Sequence, residues 1–125
     1  MDCYSKVAAF GALAVALLAS EGLLAQTDVE ADPAHHKLLF ENEHVRVVKA
    51  TFEAGGKSTA PFDAKEVVIV RVKGSGPLTI HLGDGQAIRG KSMQPGEAAW
   101  APAGRIQPEN KTSQNFEIIV IEPKK

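Results

Sequence analysis

The chain has 125 residues, 44% of them apolar and 23% charged, with 14 Lys+Arg against 15 Asp+Glu. A formal net charge of -1 leaves no basic excess for neutralising phosphates, so neither nucleic acid nor an anionic membrane surface is the partner this composition suggests. No segment combines low hydrophobicity with a large net charge, which excludes a disordered chain and leaves one globular domain.

Residues 1–25 carry Lys6 as their one basic side chain, run uncharged from Val7 to Ser20 and exit through Leu23, Leu24 and Ala25. This is the plan of a secretory signal peptide cut after Ala25. Its 14 uncharged residues fall short of the roughly 20 that a membrane-spanning helix needs. The expectation is a periplasmic or secreted protein, preceded by an N-terminal signal helix and free of the membrane after cleavage. The only cysteine, Cys3, lies in that leader, so the mature chain has no disulfide, thiolate nucleophile or cysteine metal ligand.

Gln26 to Ala34 is polar, ends in Asp32-Pro33 and shows neither a 2- nor a 3.6-residue period, so residues 26–36 are expected as a flexible tether, with the domain spanning 37–125. Short β-branched runs then predict strands at 44–52, 66–72, 78–82, 98–100 and 116–121. Val and Ile on both parities of 66–72 and 116–121 predict central strands covered on both faces. Asp84-Gly85 predicts a two-residue hairpin loop, both residues at positive φ, joining 78–82 to 87–89. With no helical period after position 37, the pattern predicts an all-β sandwich or barrel.

Lys37 to Asn42, Val45 to Val48, Ala54-Gly55, Pro95-Gly96-Glu97, Trp100, and Pro102 through Gly104 to Asn110 together make the chain resemble a small single-domain cupin over about residues 37 to 122. The family's first motif, two histidines and a glutamate between glycines, is matched at its ends by Gly55 and Gly74. Gly96, Pro102 and Gly104 match the second, which closes on a histidine and an asparagine. The resemblance implies a jelly-roll β-barrel with a pocket at its mouth, and in typical members a divalent metal held by three histidines and a carboxylate. In frame, those ligand positions fall on Pro61, Asp63, Val67 (Val68 with the longer spacer) and Ile106 (Gln107 if counted on from Gly104). No imidazole is among them, so the expected cofactor is none and the expected protein a metal-free cupin.

The four histidines, His35, His36, His44 and His81, are expected as solvated surface. Gly55-Gly56-Lys57-Ser58 imitates a phosphate-binding loop, but Pro61 precludes the helix that such a loop requires. Asn110-Lys111-Thr112 is a formal glycosylation sequon. Asp63 sits at an inherited inward position, where it would bind a polar group or transfer a proton, or else serves a turn. Arg71 shares parity with Val67 and Ile69 and points inward near a strand end or lies on the surface. Trp100, with Phe62, forms an aromatic pocket wall or core. Gln107 bonds a ligand or the rim backbone. No catalytic constellation emerges. The first reading is a barrel binding a small organic molecule through Asp63, Arg71, Trp100 and Gln107. A metal-independent enzyme of the sugar epimerase or isomerase kind, using Asp63, is the second, and a homodimeric interaction protein the third.

Overall fold

The computed structural model describes residues 26–124, and the signal peptide expected over 1–25 lies outside them. A four-residue helix α1 (Asp28–Ala31) precedes nine strands: β1 (His36–Glu41), β2 (Val45–Phe52), β3 (Phe62–Ala64), β4 (Val67–Lys73), β5 (Thr79–Leu82), β6 (Ala87–Arg89), β7 (Ala98–Ala101), β8 (Gly104–Glu109) and β9 (Phe116–Pro123). They form a five-stranded sheet in the order β1-β2-β9-β4-β7 and a four-stranded sheet in the order β3-β8-β5-β6. All neighbouring strands run antiparallel. Strands β4 and β9, apolar on both parities, take the interior places expected of them.

Alternation builds the core. Val48, Ala50 and Phe52 of β2 point inward and pair with Val120, Ile118 and Phe116 of β9, and all but the partly covered Val120 are buried. Arg71 is also inward and buried, on the face of β4 that carries Val67 and Ile69. Its Nη1 donates to the Gly74 carbonyl at 3.0 Å and to that of Met93 at 3.4 Å, while its guanidinium carbon lies 4.0 Å from the Phe116 ring centroid. The arginine thus plugs the core.

Gly74 adopts φ +84°, and a Cβ there would sit 2.4 Å from the Asn115 carbonyl oxygen, so the framework glycine cannot be replaced without moving the β8–β9 loop. That loop is held by Asn110, whose buried amide donates to the carbonyls of Phe52, Glu53 and Gln114 and accepts from Thr112. With its nitrogen fully engaged, the sequon asparagine is a structural clamp.

Two local expectations are corrected. The hairpin loop has three residues, Gly83, Asp84 and Gly85, closed by Gly85 N to Leu82 O at 3.1 Å and Leu82 N to Gln86 O at 2.8 Å. Positive φ occurs only at glycine among the described residues, here at Gly85 with φ 92°, which is the form of a turn followed by a glycine bulge. The supposed tether over 26–36 is instead folded onto the barrel. Thr27 caps α1 in a reciprocal box with Glu30, the Asp63 amide donates to the Gln26 carbonyl, and Asp32 is wholly buried.

Candidate functional site

Between the two sheets lies a cavity of about 580 Å³. Its wall is carbon: Ile69 of β4, Ile118 and Val120 of β9, Ile80 of β5, Ile106 of β8 and Phe62 of β3 all face it. Each is the inward member of a period-2 strand, so the lining follows directly from the pleat. The mouth is charged, and most of its charges, though not that of Lys65, are paired. Arg46 Nη2 meets Asp28 Oδ1 at 3.0 Å and its Nη1 meets Glu122 Oε1 at 3.6 Å, while Lys124 Nζ lies 2.6 Å from Glu41 Oε2. The Lys124 hydrogen bond holds the Glu41 carboxyl below its ordinary range.

One polar ring is set in this wall. His36, the first residue of β1, lines the cavity with its side chain only 3% exposed. Its ring meets Phe62 and Phe52 edge-on, at centroid distances of 5.1 and 5.7 Å. Nδ1 lies 3.1 Å from the Asp32 carbonyl oxygen and 3.2 Å from Asp32 Oδ2. Asp32 in turn accepts from His35 Nδ1 at 3.0 Å and from the Thr59 amide and hydroxyl at 3.1 and 2.8 Å. Burial alone would raise this carboxyl's pKa, but hydrogen bonds from His35, Thr59 and Ser58 outweigh it and hold the group below its ordinary value.

The expected surface positions of His35 and His36 are therefore corrected. His35 stacks on Phe52 at 4.9 Å and bridges Asp32 to Glu53. His81 bonds Glu109 at 2.8 Å, lowering that carboxyl's pKa, and His44 is exposed. The signal that would have found His36 is local: Thr27-x-x-Glu30 is a capping box, and a short capped helix ending at Asp32 turns the next residues back towards the barrel.

The four residues singled out from sequence are not brought together. Asp63 touches the cavity edge, but one carboxylate oxygen meets Arg105 Nη1 at 3.1 Å while the other is buried without a partner among the described residues. Arg71 belongs to the core and not to the cavity lining. Trp100, opposite Val68, is 56% exposed and stands outside the cavity. Gln107 lies between the inward Ile106 and Pro108, faces the other side of β8 and donates to the Ser58 carbonyl at 2.7 Å.

The inherited metal positions do not fit a cation. Pro61 is exposed, Val67 and Ile106 present carbon, and Asp63 is engaged by a guanidinium. Among the described residues, no group of three or more His, Cys, Asp or Glu side chains is placed to hold a metal ion.

No family model and no curated protein matches the sequence. Solved structures do. A cupin domain from Bordetella pertussis Tohama I is 23% identical, with 72% of this chain and 92% of that one covered and a TM-score of 0.62. An RmlC-like cupin family protein with a double-stranded β-helix fold, from Methanocaldococcus jannaschii, is 19% identical over 71% of this chain and 78% of that one, with a TM-score of 0.55. A protein of Bacillus halodurans is 15% identical over 73% and 70%, also with a TM-score of 0.55. At these identities the likeness shows the fold alone, a small cupin-like β-barrel over about 72% of the chain.

Proposed function

We propose that this cupin-type barrel is an exported, metal-free protein that binds a small, largely apolar organic molecule between its sheets. The cavity carries the reading: about 580 Å³ is the size of ordinary small-molecule sites, and a mostly carbon wall with His36 inset and charged groups at its mouth and edge has their usual composition. The absence of imidazoles at the inherited ligand positions supports the metal-free part, and the leader-like residues 1–25 support export. Acid–base work by Asp63 is disfavoured because one of its carboxylate oxygens is already held by Arg105 at the cavity's edge.

Binding to the folded state alone raises stability by about 2.7 kcal/mol at a ligand concentration of 100 Kd. A thermal-shift series with apolar ring compounds, hydroxylated ring compounds and sugars should therefore raise Tm for the ring compounds only. A well-folded chain that none of them stabilises counts against the reading. Elemental analysis of the purified protein tests the metal-free part, which stoichiometric iron, manganese, nickel or zinc would overturn.

A homodimer is favoured by a separate observation. Leu38, Leu39 and Phe40 are all exposed on β1, an edge strand of the larger sheet. Light scattering over a concentration series should show a dimer that Phe40→Lys converts to monomer; a monomeric wild type removes this reading.

A further inference from the structure

We propose that His36, oriented by Asp32, is the anchor of the cavity, and that its Nε2 accepts a hydrogen bond from the hydroxyl of an apolar, phenol-like ligand. This rests on the cavity being a ligand site. Both groups within reach of Nδ1, the Asp32 carbonyl oxygen at 3.1 Å and carboxylate Oδ2 at 3.2 Å, only accept, so Nδ1 carries a hydrogen. In its neutral form an imidazole so bound has its lone pair at Nε2, on a ring that lines the cavity with its side chain 3% exposed. An accepting atom that faces a carbon-lined space is left to bond whatever fills that space.

The chemistry of the occupant follows from its surroundings. An accepting nitrogen calls for a donor. A fully charged donor would have to leave water for a carbon-lined cavity, and the one buried lining carboxylate oxygen without a partner among the described residues, Asp63 Oδ2, sits at the edge on a group already paired with Arg105, which disfavours ammonium groups. Of the three Lys and Arg side chains at the cavity, Arg46 and Lys124 are already paired with Asp28, Glu122 and Glu41, and Lys65 is exposed to water, which leaves a carboxylate no buried cation to meet. A neutral hydroxyl on an aromatic or alicyclic body fits both requirements, and Phe52 and Phe62 flank the ring that would receive it. Asp32 acts as a positioning residue: its negative charge behind Nδ1 strengthens Nε2 as an acceptor.

The test compares naphthalene with 2-naphthol, matched in shape and differing by one hydroxyl, by fluorescence titration of the full chain. Wild type should bind 2-naphthol about tenfold more tightly, and His36→Phe should keep naphthalene binding while losing that preference. Naphthalene binding with no preference for the hydroxyl, or a preference that survives His36→Phe, overturns the anchor and leaves the cavity reading standing. Failure of both compounds to bind overturns the cavity reading and the anchor with it. Nitrogen-15 spectra of His36 in the unaltered chain give a measurement independent of the variant's folding. A hydrogen on Nδ1, and a resonance that moves mainly at Nε2 when 2-naphthol is added, support the assignment; a hydrogen on Nε2 in the free protein refutes it.

Discussion

Asp32 ties the N-terminal segment to the barrel through His35, His36 and Thr59, and its consequence for stability has a definite sign. Because its pKa in the folded chain lies below the ordinary 3.8, the stabilisation is fully present above that value and is lost as pH falls through the lower folded pKa. Asp32→Asn should therefore lower stability at neutral pH by about 1–3 kcal/mol, and the wild-type advantage should shrink as melts are taken below about pH 4. An advantage that stays constant to about pH 2 would contradict the assignment. Arg71 and Trp100 separate in the same way. Arg71→Ala opens the core beside Phe116 and should cost about 2–4 kcal/mol, whereas Trp100→Ala, on the outer surface, should change probe affinity less than about twofold. At this scale the sequence was only partly legible. Parity left Arg71 open between an inward place and the surface, and it could not say that the side chain's carbonyl partners lie 3 and 22 positions away. On β8 a one-residue ambiguity in counting decided between Ile106 and Gln107, and the pleat sends those two to opposite faces.

Among the elements, α1 and β1 carry the site although neither has a strong pattern of its own. A helix of four residues has no room for a 3.6-residue period, and its clearest mark is the Thr27–Glu30 box. Thr27→Ala should destabilise the chain by about 1 kcal/mol, read by chemical denaturation, and an unchanged midpoint would show that α1 is held by tertiary contacts alone. β1 escapes alternation because its pairing with β2 slips between Leu38 and Phe40, leaving consecutive large apolar residues exposed. β3 has three residues and β8 contains Pro108, which demotes a strand reading even though the proline sits inward on the cavity wall. The most legible strands, β2, β4 and β9, are those where β-branched residues run between turn residues, whereas β5 and β6 were legible through the glycine-rich hairpin between them and β7 through its place between Pro95-Gly96 and Pro102.

Across the whole molecule, the resemblance carried by Gly55, Gly74, Gly96 and Pro102 anticipated two facing sheets, because framework glycines report backbone turns and not chemistry. The cavity itself was not legible. Its volume is the space left when the inward residues of eight strands are smaller than the gap between the sheets, a sum over side chains far apart in sequence. Filling it should therefore abolish binding without unfolding the chain. Val120→Phe adds bulk to the cavity wall and should eliminate probe-induced stabilisation while moving the unliganded Tm by only a few degrees.

The most direct measurement is a methyl-labelled NMR titration of the full chain with naphthalene. Shifts should concentrate on Ile69, Ile80, Ile106, Ile118 and Val120, which face the cavity, and spare Val72 and Ile88, which are 46% and 47% exposed. Shifts confined to Val72 and Ile88, or none at saturating probe, would contradict a ligand site inside the barrel.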